Sequence, residues 1–339
     1  DPLWSRRLGD VYKRQGLHSM MGNLPGTDAS RSHRRRRFRM CVAGLVTSGL
    51  MLSSCTIGNQ DRADSTPSSV PENADTLAPS VPGPHPSIEN TEAGTPELSG
   101  KADAPMQQAV DQVIKKYGGM AELAVSDGEQ VRRFGHVDPY PAWSSIKVPL
   151  AIAALRNNNS DDIQANVRDA IRSSDNVAAD ALWRSLGGGE ASGQAVHQVL
   201  ADGGNPNTKV QIDAIRPHYS GFGQTQWPVE DSALFAANLP CVPGSEYVID
   251  QMGQINPDQR WGLGTIPGAH FKGGWGPDED GAYLVRQIGF FDGPTGRIAV
   301  ALAAHPSDGT YETGQSALND LAAVVKAHQK EFAPAQCGQ

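Results

Sequence analysis

The chain has 339 residues with 37 Gly, 24 Pro and 6% aromatics, too many backbone breakers and too few core-formers for a chain folded along its whole length. Its net charge of −8 divides unevenly: residues 1–39 carry +7, residues 40–54 carry none, and residues 55–339 hold the remaining −15. An acidic bulk excludes a general nucleic-acid binder, which needs a basic face, and the lack of any apolar run of about 18 residues excludes a polytopic membrane protein.

The front of the chain reads as an address. The basic stretch RSHRRRRFR at 31–39 precedes thirteen uncharged, mostly apolar residues, Met40 to Leu52, and then Ser53-Ser54-Cys55. A charged segment, a short apolar segment and small residues before a cut describe a secretory signal peptide, and thirteen residues are too few to span a bilayer. Leu52-Ser53-Ser54-Cys55 resembles a bacterial lipobox, which implies acylation of Cys55 and a lipoprotein anchored to the outer face of the cell membrane. The other reading is a buried helix with an ordinary cysteine. Met20 or Met21 is a natural start for this signal, so residues 1–19 are expected to be an upstream or non-native segment and 20–54 the signal peptide.

From 55 to 103 there is no Phe, Trp or Tyr, while seven Pro accompany many Ser, Thr, Asp and Glu. Such a segment buries too little apolar surface to offset its conformational entropy, so a disordered acidic stalk is expected. Residues 104–339 then suit one domain. Met106, Val110, Val113, Ile114 and Tyr117 fall on one helical face that Gly118-Gly119 ends. A hairpin follows, Glu122 to Val125 and Gln130 to Phe134 around an Asp127-Gly128 turn. Helices fill most of 144–252. Strands return at His270 to Trp275, Tyr283 to Phe291 and Arg297 to His305, and a last helix stripes Leu318, Leu321, Ala322 and Val325. For the two strand groups to share a sheet the chain ends must meet, with the helical block as a second lobe and a cleft between. The fold class is α+β: an antiparallel β-sheet flanked by helices plus an all-helical lobe.

Cys41 leaves with the signal and Cys55 would carry lipid, which leaves Cys241 and Cys337. In an oxidising envelope these two are expected to form a disulfide; the alternative is two free thiols. Two lone cysteines carry no metal-ligand spacing, and no metal is expected.

Three short motifs carry chemistry. Ser144-Ser145-Ile146-Lys147 opens a helix, and three residues apart Ser144 and Lys147 share a face, so the ammonium nitrogen can approach the hydroxyl. A buried lysine loses proton affinity and can act as a base toward serine; alone, the same residues read as an N-cap and a surface lysine. Ser174-Asp175-Asn176 is a helix-start signal before VAADALW. Lys272-Gly273-Gly274 lies on a strand that its glycines leave open to close approach.

In this order and context the three motifs resemble those of class A β-lactamases and penicillin-binding proteins, over roughly residues 105–330. The resemblance implies a serine hydrolase that needs no cofactor. Ser144 is then the nucleophile, Lys147 its activating base, and Ser174 the relay of a proton to the departing nitrogen. Asn176 binds the substrate's amide side chain and Lys147, and Lys272 the substrate carboxylate. The backbone N–H groups of Ser144 and of Trp275, the residue after Gly274, form the oxyanion hole. The partner is a β-lactam or a cell-wall peptide amide, the activity a β-lactamase-like or D-alanyl-D-alanine peptidase-type hydrolysis, and the protein a monomer.

The sequence departs from that family in three places. The third motif has Gly273 where the family usually has a hydroxyl residue, and Trp275 is expected to crowd the mouth. Thirty residues separate Ser144 from Ser174, about half the family's spacing, so a reduced helical lobe is expected. Val210 to Trp227 holds no Glu where class A enzymes carry their deacylation base; Asp213 is its sole carboxylate, which implies slow release of the acyl-enzyme. Asp278-Glu279-Asp280 reads as a solvated turn, and His218 and His305 as structural residues. The runner-up to the enzyme is a non-catalytic descendant of the fold that binds muropeptides or a protein partner.

Overall fold

The computed structural model describes residues 103–337. The signal segment, Cys55 and the stalk lie outside the described residues.

The first helix, α1 (Ala104–Tyr117), starts with Pro in its first turn and buries Met106, Val110 and Val113, the spacing of a single helical stripe. Gly118 and Gly119 end it at φ 66° and 70°. A side chain at Gly119 would stand 2.2 Å from the His305 carbonyl oxygen, so the tight exit that sends the chain into the sheet requires glycine. Strands β1 (Met120–Ser126) and β2 (Val131–His136) form the expected hairpin.

The helical lobe is built from α2 (Lys147–Asn157), α3 (Asp161–Arg172), α4 (Asn176–Ser185) and α5 (Gly189–Asp202). Every residue from Lys147 to Leu155 is buried. A helix apolar on all sides lies at the centre of its lobe, and α2 is packed by α3, α4 and α5. An irregular loop covers 203–228, interrupted by one short turn at Phe222–Gln224. Beyond it come α6 (Val229–Asn238) and α7 (Glu246–Met252).

The strands β3 (His270–Pro277), β4 (Tyr283–Gly293) and β5 (Gly296–His305) follow, then α8 (Tyr311–His328). All five strands form one antiparallel sheet in the order β2-β1-β5-β4-β3. The early hairpin thus joins the late strands through β1 and β5, the closure the sequence demands. Helices α1 and α8 pack together on the sheet, and α6 lies against β1, β4 and β5. Strand β5 offers Ala299, Ala301 and Ala303 at alternate positions, a small-residue stripe that lets α6 approach closely.

Cys241 and Cys337 form a disulfide that joins residues 96 apart in sequence. The same terminal segment is held by Ala335 N–H on the Arg297 carbonyl at 2.7 Å and Gln336 N–H on the Asp127 carbonyl at 2.8 Å. Bridging a loop of this length stabilises a fold by about 4–5 kcal/mol in the chain-entropy account.

Candidate active site

Ser144 is presented by a short two-stranded clasp. Ala142 N–H donates to the Thr225 carbonyl at 2.7 Å and Trp227 N–H to the Tyr140 carbonyl at 3.1 Å, with Pro141 and Gln226 bridged between them. The chain then turns at Trp143, whose φ of 48° lies in the left-handed region. A bulky residue held there is strained, and such residues concentrate at functional sites. Residues Trp143–Ile146 form a 3₁₀ turn, and the α-helix begins only at Lys147. The sequence places Ser144 in the helix; it stands instead on the tighter turn that precedes it. Of the two adjacent serines, Ser145 is buried and donates its hydroxyl to the Ala142 carbonyl. Ser144 is half-buried, and it is the one that a ligand can reach.

The two lysines converge on Ser174. Lys147 Nζ donates to the Ser174 carbonyl at 2.6 Å, to Asn176 Oδ1 at 2.7 Å and to Ser174 Oγ at 3.5 Å. Lys272 Nζ donates to Ser174 Oγ at 2.9 Å and to the Gly273 carbonyl at 2.7 Å. Ser174 holds this post with a φ of 58°, and the next residue, Asp175, caps α4 by accepting from Ala178 N–H at 2.8 Å. The helical spacing directs Lys147 toward Ser144, whereas its hydrogen bonds among the described residues go to Ser174 and Asn176. A buried ammonium takes the partners that satisfy most of its donors, and the carbonyl at the turn into α4 is the nearest strong acceptor.

Both lysines are wholly buried. Burial brings the Lys147 amine down to about 7, against a smaller upward pull from Asp175. Lys272 is also held well below the usual lysine range, first by burial and then by the charge of Lys147. Neither nitrogen makes an ion pair with a carboxylate among the described residues. Two amines of lowered proton affinity beside a serine, neither paired with a carboxylate, supply a base and leave their ammonium forms to be stabilised by an incoming anion.

Strand β3 is the edge strand on this side, so alternate N–H groups face away from β4. A Cβ at Gly274 would lie 2.8 Å from the Ala142 carbonyl oxygen and 2.9 Å from the amide nitrogens of Ser144 and Ser145. Backbone on backbone at this distance tolerates only glycine. Gly274→Ala is expected to push the Ser144 turn off β3 and slow acylation about 100-fold, since a displacement of about 1 Å costs that much; stopped-flow labelling measures it.

Trp275 stands next to the site lysine, its ring centroid 5.9 Å from Lys272 Nζ. Alternation along β3 turns it to the face opposite Gly274, where its ring centroid lies 5.4 Å from Tyr311 and 5.9 Å from Trp261. The aromatic neighbour of Ser144 is Trp143 instead. Its ring fills the space over Gly276, where a Cβ would meet it at 2.6 Å, and packs edge-on to Tyr219 at 5.4 Å.

The loop 203–228 closes the other side. Buried Gln224 accepts from Arg216 N–H at 2.8 Å, and its amide group donates to the carbonyls of Arg216, Tyr219 and Ser220. Arg216 covers the Tyr219 and Trp143 rings and donates to the Pro277 carbonyl at the end of β3. Asp213 is exposed. The acidic turn is local as well: Asp278 Oδ1 accepts from Asp280 and Ala282 N–H, and Asp278 Oδ2 is 3.1 Å from His305 Nε2.

Sequence reasoning missed Trp143, Arg216 and Arg286. The charged residue inside the apolar run YLVRQIGFF is a signal that a polar partner waits at that point of the sheet. Trp143 and Arg216 carry no such mark.

No family model matches the chain, and no curated protein matches it. Solved structures do. TLA-3 extended-spectrum β-lactamase is 16% identical, with a TM-score of 0.55 over 67% of this chain and 98% of that one. A class A β-lactamase from Mycobacterium abscessus is 16% identical, with a TM-score of 0.54 over 66% of this chain and 99% of that one. A β-lactamase from Sphaerobacter thermophilus is 19% identical, with a TM-score of 0.52 over 68% of this chain and 99% of that one. The chain has a β-lactamase-like fold, with its α+β architecture and helical lobe.

Proposed function

We propose that this β-lactamase-like fold houses a serine acyl-enzyme that acts on a β-lactam or a cell-wall peptide amide. The observation that carries the reading is the convergence of two buried, proton-poor lysines on Ser174 beside the accessible Ser144. Ser144 Oγ attacks the amide carbonyl, and its proton passes to neutral Lys147. The carbonyl oxygen takes the negative charge between the Ser144 and Trp275 N–H groups. Ser174 hands its proton to the amide nitrogen as the C–N bond breaks and takes one back from the Lys147 ammonium 3.5 Å away, leaving an ester on Ser144, a free amine and neutral Lys147. Asn176 orients the substrate amide and Lys272 receives its carboxylate, which restores the ammonium form that burial disfavours.

Release of the ester is slow in this scheme. Water needs a base, and the loop that faces the site offers Asp213 alone, on its exposed side. The reading therefore lies nearer to a penicillin-binding peptidase than to a fast hydrolase.

The sequence adds an address: export and a lipid anchor at Cys55 would hold the domain at the outer face of the cell membrane. Cys55→Ala is expected to move the protein from the membrane fraction to the soluble one on cell fractionation; an unchanged distribution contradicts the anchor.

Labelling with a fluorescent penicillin tests the chemistry. The chain is expected to retain covalent fluorescence through denaturing electrophoresis. Absence of a band, where a control acyl-enzyme labels, contradicts the reading.

A further inference from the structure

A row of residues crosses the sheet beneath Ser144. Glu122 on β1, Ala303 on β5, Arg286 on β4 and Gly274 on β3 are successive Cα partners. Partners across antiparallel strands share a face, so the row runs from the buried carboxyl of Glu122 to the glycine that abuts the Ser144 amide. Ala303 and Gly274 leave the space over the row to the side chains of Glu122 and Arg286.

The hydrogen bonds of Arg286 point along this row toward the site. Its Nη1 donates to the carbonyls of Tyr140 at 3.0 Å, Pro141 at 3.2 Å and Trp227 at 2.9 Å. Its Nη2 donates to Ser232 Oγ on α6 at 2.6 Å. Tyr140, Pro141 and Trp227 belong to the clasp that leads into the strained Trp143 and Ser144. A single guanidinium therefore grips both strands of the clasp two residues before the turn. Glu122 does not compete for it: the Glu122 carboxylate accepts from Val137 N–H at 2.9 Å and lies 3.6 Å from Arg133, which also pairs with Glu230.

Arg286 stays charged although burial lowers it to about 10, because Glu122 and Glu230 oppose that shift. Burying such a group is costly unless its donors are used; both Nη groups are used, while the buried Nε has no hydrogen-bond partner among the described residues. A hydrophobic residue of similar size would fill the same volume but hold none of the three carbonyls.

We infer that Arg286 is a positioning residue, which sets the Ser144 turn against β3 by holding the 140–142 and 225–227 segments together from below. It touches no reacting atom. The inference rests on the reading of Ser144 as nucleophile, and the test separates the two.

Arg286→Lys keeps an amine donor at the end of a long side chain and loses the planar fork. In the whole chain it is expected to lower the maximal acylation rate by a fluorescent penicillin at least about ten-fold, the loss expected for a misplaced nucleophile. The dissociation constant of the complex before acylation and the final fraction of molecules labelled are expected to stay at wild-type values. Hydrogen exchange of the 140–146 peptide is expected to quicken by about ten-fold, as clasp bonds open locally, while α8 peptides keep their rates. A wild-type rate constant overturns the inference. So does a smaller labelled fraction with an unchanged rate, which marks a purely structural residue. Should the wild-type chain take no label, the proposed function fails by itself, and the exchange of 140–146 alone decides on Arg286: unchanged protection overturns it. Should Arg286→Lys fail to fold, Ser232→Ala removes a single acceptor from the guanidinium. A two- to five-fold slower acylation with a full end point, or faster 140–146 exchange where nothing labels, supports the inference; wild-type behaviour in both overturns it.

Discussion

Ser144→Ala is expected to yield a folded protein that takes up no penicillin, a loss of at least about 10⁴-fold in labelling rate. The side chain is half-buried at the start of a 3₁₀ turn and belongs to no core cluster, so its truncation costs stability within about 0.5 kcal/mol, as surface substitutions do. Two other hydroxyls stand close enough to make the control informative. Ser145 is committed to the Ala142 carbonyl, and Ser174 Oγ is held between the Nζ atoms of Lys147 and Lys272. Neither is placed to take over. Labelling that survives in Ser144→Ala, or that moves to Ser174 in the wild-type chain, contradicts the assignment.

The second large effect belongs to Lys147. Lys147→Met retains the length of the buried side chain and removes the base, and acylation is expected to fall by roughly 10³-fold, within the range of general-base catalysis. In the wild type the acylation rate is expected to rise with pH around a midpoint near 7, where burial holds the Lys147 amine, because the neutral form accepts the serine proton. Stability follows the same shift. Lysine in the unfolded chain binds its proton up to about 10.5, while the folded chain has released it above about 7. From pH 7 to pH 10 the unfolded state therefore holds more protons, and folding gains with pH. Lys147→Met lacks this gain, so the wild type approaches or passes the variant in denaturation midpoint as pH rises. A pH-independent difference in midpoint between the two, with a flat acylation profile, contradicts a proton-poor Lys147.

Much of the architecture was legible because local chemistry marks it. The Gly118-Gly119 stop, the Asp127-Gly128 turn and the three late strands all appear where the residues place them. The two strand groups can share a sheet only if the chain ends meet, and β1 beside β5 is where they do. The three motifs also meet: Lys147, Ser174, Asn176 and Lys272 join in one hydrogen-bonded group next to Ser144 and Gly274.

What escaped the sequence depends on long-range register or on backbone conformation. The alignment of Glu122, Ala303 and Arg286 spans three strands drawn from both ends of the domain, and no local pattern encodes it. The Trp143 turn is set by what lies around it: Gly276, Tyr219 and Arg216 close on its ring. Lys147 reaches Ser174 because a carbonyl near a turn outbids a hydroxyl one helical step away.

Mass spectrometry of the intact chain, followed over time after a short exposure to penicillin, tests the central claim most directly. The expected result is a mass increase of one whole penicillin, located on the peptide that holds Ser144, which persists from minutes to hours because the 203–228 loop offers only the exposed Asp213 as a base. An unmodified chain throughout, with the penicillin left intact, or an adduct on a peptide without Ser144, contradicts the assignment of Ser144 as the acylated nucleophile.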